Sequence, residues 1–343
     1  MARFAIATLA PLALIALGAV LGGPWAWFAV AWMTVLTATL DRLASAAPPR
    51  DGAEFPAGDA LSVTLGIGHL ALLPLVIWAL ALAERPPAQD AALFLAAGLF
   101  FGQVSNSNAH ELIHRSSRRL RRLGVAVYVS LLFGHHASAH PLVHHVRVGT
   151  RGDPATARLG ESFWRYLPRA WRGGFREGLA AETARRARSG ARGLHPYAIY
   201  VGGALLCLAL AASFAGPAGL AWSLALAGFA QSQLILSDYV QHYGLTRRPR
   251  PDGRLEPVGP QHSWNAPHPA SAAMMLNAPR HSDHHLRPGE PYPRLTVPDG
   301  VPMLPRSLPV MASIALLPRL WRRVMDPRVA RVAEDRSPPV AAE

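Results

Sequence analysis

Six apolar runs limit what this chain of 343 residues can become. Residues 4–22, 24–40, 61–83, 197–215 and 218–237 contain no Asp, Glu or Arg, and a sixth run covers about 91–109. Each approaches the roughly 20 residues that a helix needs to cross a bilayer. Length alone would allow two domains. The runs instead predict one all-α integral membrane domain over 1–343, with about six transmembrane helices, the last extending to about residue 240. The first run exceeds the 7–15-residue core of a cleaved signal and no clear A-x-A site follows, so it is expected to stay as an anchor. The single cysteine, Cys207, lies in the fifth run, which precludes an intrachain disulfide. No CxxC pair occurs, which excludes a fused iron–sulfur or rubredoxin-like carrier.

Charge gives the orientation. All 34 basic residues are arginine, against 21 acids. Five arginines fall within residues 115–122, and arginine excess in short loops marks the cytoplasmic side. With a cytoplasmic N-terminus, residues 41–60, the Arg cluster and everything after the sixth run lie inside. Residues 84–90 and the Gly216–Pro217 hairpin lie outside. Residues 125–134 are too short to span and are expected to be re-entrant or interfacial. Residues 151–192, with ten arginines, four acids, Trp164 and Trp171, are expected to form a membrane-surface helix rather than a nucleic-acid site. Residues 308–318 are read as a further interfacial helix.

Chemistry concentrates in histidine boxes. The first is His110–Glu111–Leu112–Ile113–His114, the second His140, His144 and His145, the third His281, His284 and His285. His242 stands alone within Asp238–Tyr239–Val240–Gln241–His242–Tyr243–Gly244–Leu245. In this topology all nine occupy cytoplasmic regions, 110–195 and 241–343. On a helix, His110 and His114 share one face. Adjacent residues point roughly 100° apart, so His144 and His145 are poorly placed to face one ion. A tetrahedral zinc site takes four ligands, and nine candidates exceed it. The adjacent pairs therefore favour two metals. A carboxylate-type di-iron bundle needs two Glu-x-x-His motifs, and only Glu111–His114 fits. The third box lies in a segment with twelve prolines between Thr246 and Pro302. Ordering so broken a segment calls for a metal-tied loop packed on the ends of the spans.

Three boxes and a lone histidine on six apolar runs resemble the membrane fatty-acid desaturase and hydroxylase superfamily. The chain is most similar to its alkane 1-monooxygenase family. The residues that carry the resemblance are Asn108 to Arg115, His140 to His145, Asp238 to Leu245, and His262–Ser263–Trp264–Asn265 followed by Arg280 to His285. Trp321 to Pro327 extend it toward the C-terminus. The resemblance implies that His110, His114, His140, His144, His145, His242, His281, His284 and His285 hold two iron ions. Imidazole alone suits Zn, Cu, Fe or Ni; iron is what the family implies. Glu111, Asp238 and Asp283 are placed to orient histidines, as carboxylates around metal sites do. The family usually carries Glu where this chain has Ala139 and Gln241.

By the same resemblance, the protein is a bacterial inner-membrane enzyme that uses O2 to hydroxylate an unactivated C–H bond, typically a terminal methyl of a medium-chain alkane. Two electrons come from a separate rubredoxin- or ferredoxin-type donor. Arg118, Arg119, Arg121 and Arg122, or the basic 151–192 stretch, are expected to receive that donor. The alternative is that they set topology and touch anionic lipid. A fatty-acyl desaturase or hydroxylase is the nearest rival. An intramembrane zinc protease would use His110, Glu111 and His114 and leave six box histidines without a role. A metal transporter would place polar ligands at mid-membrane. His69, His135, His136, His195, His262 and His268 fall outside the ligand set. Gln231, Ser232 and Gln233 are expected to line a channel or to pair helices.

Overall fold

A computed structural model describes residues 1–44 and 56–336. Its regular elements are helices; among the described residues the only extended pairings are two isolated bridges, Pro249 with Leu255 and Asn265 with Met303. The apolar runs become α1 (Ala2–Leu21), α2 (25–43), α3 (Pro56–Leu82) and α4 (87–114), followed by a helix Pro196–His242. Among the described residues three helices are both long and apolar enough to cross a membrane, namely Ala2–Leu21, Gly58–Leu82 and Pro196–His242. Outward residues of the apolar runs are themselves apolar: Val20, Val35 on α2, Ile67, Leu205 and Leu206 are each more than half exposed. A helix apolar on every side needs lipid or protein around it.

The 47-residue helix is two helices. Gly216 has φ 59° and ψ −152°, a region essentially restricted to glycine. Eight residues of continuous helix would separate residues 211 and 219 by about 12 Å. The Ala211 carbonyl oxygen instead lies 2.5 Å from where a Cβ on Gly219 would stand. The chain therefore reverses at the Gly216–Pro217 hairpin, giving α8 (196–215) and α9 (217–242). Six apolar helical segments thus coincide with the six apolar runs. Two of them change hydrogen-bond register: α2 has a π-turn at Trp32–Leu36, and α4 has one at Phe101–Ser105, directly before the first histidine box.

The polar loop expected at 41–60 is shorter at both ends, because α2 runs to Leu43 and α3 begins at Pro56; residues 45–55 lie outside the described residues. Arg118–Ser130 forms an amphipathic helix, α5, rather than an isolated apolar segment from 125. Next come α6 (136–147), carrying the second box, and α7 (Phe163–Ser189). On α7 both tryptophans are exposed, and their indole N–H groups donate to the Leu316 carbonyl and to Gln231 Oε1. The proline-rich segment contains α10 (Pro269–Met274) and α11 (His281–Leu286), with the third box on α11. It is followed by α12 (Leu308–Ala315) and α13 (Pro318–Asp335). Asp41, at the end of α2, accepts the Ala270 and Ser271 N–H groups at 2.8 and 3.1 Å and so caps α10.

Two large hydrophobic cores result. One joins α1 to α4 through Ile15, Val76, Phe100 and Phe101. The other surrounds the end of α9 with Tyr128, Tyr166, Tyr239, Tyr243, Trp264 and Trp321. Gly102 lets α4 and α9 meet closely, since a Cβ there would collide with the Gln233 amide.

Candidate metal centre

Four elements bring the nine box histidines together: α4 supplies His110 and His114, α6 supplies His140, His144 and His145, α9 supplies His242, and α11 supplies His281, His284 and His285. They sort into two groups. His110, His114, His140, His145 and His284 form one, and His144, His242, His281 and His285 the other; within each, one ring nitrogen per residue lies within 4.8 Å of all the rest. The adjacent pairs split, with His144 and His285 in one group and His145 and His284 in the other.

Backbone geometry explains the sorting. On ordinary α-helical turns His110 pairs with His114, and His281 with His285, at i and i+4. The second box is wound as a π-turn, His140–His144, with i→i+5 hydrogen bonds. Pro141 lies in this turn and has no N–H to give to the carbonyl four residues back. The wider turn aligns i with i+5, so His140 faces His145, with their Nε2 atoms 2.9 Å apart. His144 is rotated toward the other group.

The Nε2 atoms converge. His140 lies 2.7 Å from His110 and His284 lies 3.1 Å from His145; His281 lies 2.9 Å from His242 and 3.2 Å from His285. Two nitrogens bound to one ion at about 2.1 Å and a right angle lie about 3.0 Å apart. The Nε2 atoms of His114 and His144 are buried with no hydrogen-bond partner, and a cation would satisfy both. Burial, then crowding by the other imidazoles, holds His140, His145, His281, His284 and His285 well below the ordinary histidine range. Burial and then His144 lower His114 to about 4. Their lone pairs are free at neutral pH, the state metal binding requires.

His144 differs. Burial disfavours its charge, yet the carboxylate of Asp153, and Asp238 beyond it, raise it above its usual value. Its Nδ1 donates to Asp153 Oδ2 at 2.8 Å, which leaves Nε2 for the centre. Asp153 is buried and fixed by Thr156 Oγ1 at 2.7 Å and the Ala155 N–H at 3.0 Å. His242 Nδ1 likewise donates to the His262 carbonyl at 3.1 Å.

The other carboxylates bond elsewhere. Glu111 accepts from the Tyr292 N–H at 3.4 Å and pairs with Arg115. Asp283 accepts from Arg287 and from the N–H and hydroxyl of Thr296. Each is one helical step from a box histidine, and that rotation turns it away from the centre. Asp238 borders two small cavities, one with His110 and His281, the other with His140 and His144. Asp153 escapes a reading of the sequence; its only local signal is Asp153–Pro154–Ala155–Thr156, whose turn fixes the carboxylate.

The segment His262–Ser263–Trp264–Asn265 clamps the third box to His242. Trp264 donates its backbone N–H to the Gln241 carbonyl at 2.8 Å and its indole N–H to the Tyr243 carbonyl at 2.9 Å. Asn265 donates to the Ser282 hydroxyl at 2.7 Å and accepts the Ser282 N–H at 3.0 Å. Gln241 spends its amide on Ser237 and the Ala278 carbonyl. Ala139 packs against Gly178 of α7 so closely that a Cβ on that glycine would lie 2.9 Å from its methyl, leaving no room for a glutamate. His69, His195 and His262 are engaged outside the groups, with Ser130, with Thr183 and the Tyr197 N–H, and with Glu256. His135 and His136 pack against the Phe133 ring.

An apolar cavity of about 700 Å³ lies beside the centre, lined in part by Met33, Leu99, Phe229, Leu236 and Leu308. It shares Gly102, Ser237 and Met275 with the small cavity that borders His110 and His281. Ser232 and Gln233 line it, while Gln233 also donates to the Gly98 carbonyl and Gln231 to that of Leu131.

Fold and site together define a multi-pass helical membrane protein with a histidine-built metal site. Residues 89–296 match the fatty acid desaturase family model. The chain is 34% identical over 272 residues to the alkane 1-monooxygenase of Pseudomonas putida, covering 77% of this chain and 66% of that protein, just under two thirds of its length. It is 31% identical over 322 residues to alkane 1-monooxygenase 2 of Pseudomonas aeruginosa, covering 89% and 84%. It is also 25% identical over 312 residues to the xylene/toluene monooxygenase hydroxylase component of Pseudomonas putida, covering 88% and 81%. The chain therefore belongs to the fatty acid desaturase family and, within it, to the alkane 1-monooxygenases.

Proposed function

We propose that this protein is an oxidoreductase that hydroxylates an unactivated C–H bond of an apolar substrate, the terminal methyl of a medium-chain alkane, at two iron ions. One observation carries the reading: two groups of histidines stand at the end of an apolar cavity whose walls continue to His110 and His281. Bound iron would supply the oxidising chemistry, in which O2, two electrons and two protons convert R–H to R–OH and water. The chain's own part is to keep nine imidazoles aimed at the centre, with His144 held by Asp153 and His242 by the His262 carbonyl. The cavity's largely apolar walls take the hydrocarbon from the bilayer and exclude water from it. In this reading the electrons come from a separate rubredoxin- or ferredoxin-type carrier.

In this reading six segments span the inner membrane with the boxes cytoplasmic. Incubation of the purified, iron-loaded protein with labelled O2, an alkane panel and an electron donor should place one labelled oxygen in the product. A desaturase is the second reading, favoured by the matched family model; an unlabelled alkene as sole product would replace hydroxylation with it.

A further inference from the structure

A second large cavity has a composition unlike that of the first. It measures about 760 Å³ and lies between α5, α6, the end of α7 and the start of α8. Arg118, Arg121 and Arg122 line it from α5 and Arg185 from α7. Its only acidic lining residue, Glu182, is buried and already engaged by Arg185 and by the Ser138 hydroxyl. Among the described residues no acidic side chain pairs with Arg118, Arg121 or Arg122; Arg121 donates to the Arg115 and Ser116 carbonyls.

The cations also sit where a helix least tolerates them. α5 begins at Arg118 and has no acid in its first turn, so Arg118, Arg119, Arg121 and Arg122 crowd the positive end of its dipole. An anion there would meet both the free N–H groups and the guanidinium groups. Behind the arginines the walls turn apolar. Arg118, Arg122, Val125 and Val129 fall at i, i+4, i+7 and i+11, one stripe of α5 graded from charged to aliphatic. It is about 16 Å long, close to the roughly 15 Å hydrocarbon depth of one leaflet. Leu142, Ile199 and Gly203 complete the apolar wall.

We infer that this groove binds one anionic phospholipid, its phosphate held by Arg118, Arg121 and Arg122 at the start of α5 and an acyl chain lying along Val125, Val129 and Ile199. The inference needs the membrane location but not the proposed reaction. An electron carrier fits the site less well, because the groove is concave and its floor aliphatic. The lipid braces α6 from behind: Ala137, Ser138 and Pro141 face the groove while the same helix carries His140, His144 and His145.

The test uses the full-length protein, delipidated in detergent and titrated with short-chain phosphatidylglycerol, the matching phosphatidylcholine, or inorganic phosphate. Native mass spectrometry and thermal unfolding give the readouts. Phosphatidylglycerol should bind one to one and raise Tm, with phosphatidylcholine and phosphate doing neither. Arg118→Gln and Arg122→Gln, at exposed positions, should each weaken binding by about tenfold. Ile199→Trp, also exposed, should weaken it by filling the groove without changing charge.

Equal binding of phosphatidylcholine, or binding unchanged in the arginine variants, would overturn the inference. So would full stabilisation by inorganic phosphate, which marks a simple anion site. An Ile199→Trp variant with unchanged affinity would reduce the effect to surface charge. In phosphatidylcholine nanodiscs lacking anionic lipid, a raised apparent KM for the electron donor in the arginine variants would assign the surface to the carrier instead.

Discussion

His144 and His145 are covalent neighbours that serve different groups, and their surroundings differ accordingly. His144 is oriented by a buried carboxylate, whereas the Nδ1 of His145 is buried with no hydrogen-bond partner. Burial alone would raise Asp153, but His144, Thr156 and the Ala155 N–H keep it below the usual carboxylate range, so it stays ionised. Asp153→Asn keeps the shape and removes the charge. Removing such a partner typically costs about 10- to 100-fold in metal affinity, and that loss is expected here with the helical circular dichroism unchanged. Chelator competition on the iron-loaded protein measures it. His144→Ala and His285→Ala should each abolish turnover. His195→Ala should keep most of it, because His195 belongs to neither group and contacts Tyr197 and Thr183 instead. Equal losses in all three would show the ligand assignment to be mistaken.

At the scale of elements, the π-turn at 140–144 sets which of His144 and His145 faces His140. Pro141→Ala returns a backbone donor to α6 and favours ordinary helical winding, in which His140 would align with His144 instead of His145. Metal content should fall while the melting temperature holds or rises; unchanged metal content would show that the turn does not set the pairing. Gly216 is the other decisive backbone position. A branched side chain at φ 59° and ψ −152° costs about 1–3 kcal/mol. Gly216→Val is therefore expected to lower the yield of inserted, folded protein, read by fluorescence-detected size exclusion, and Gly228→Val, in open space on α9, should not.

For the whole molecule, topology and stoichiometry are the testable quantities. In a Cys207→Ser background, cysteines at the exposed positions Ala88 and Ala218 should react with an impermeant thiol reagent from outside intact cells. A cysteine at Ser117 should react only after lysis. The reverse pattern would turn the boxes to the outer face. Elemental analysis should return two irons per chain, one for each group of histidines. A single tightly held zinc with peptidase activity would remove both the di-iron assignment and the monooxygenase reading.

Only the family resemblance tied the lone His242 to the boxes; the sequence by itself determined the six apolar segments, the reversal at Gly216–Pro217 and the eight boxed histidines. These are local properties: hydropathy over about 20 residues, one backbone position that favours glycine, and residues spaced within single turns. It also carried the reason why adjacent histidines must part, since neighbouring side chains diverge on any helix. Tertiary structure decided the membership of each group, because His145 meets His284 across 139 residues and His242 meets His281 across 39. It decided that Asp153, rather than Glu111 or Asp283, holds a histidine, since the helical step beside a ligand turns a carboxylate away while a turn nine residues on brings one back. The two large cavities likewise exist only where several helices pack side by side, and no local pattern encodes the space between them.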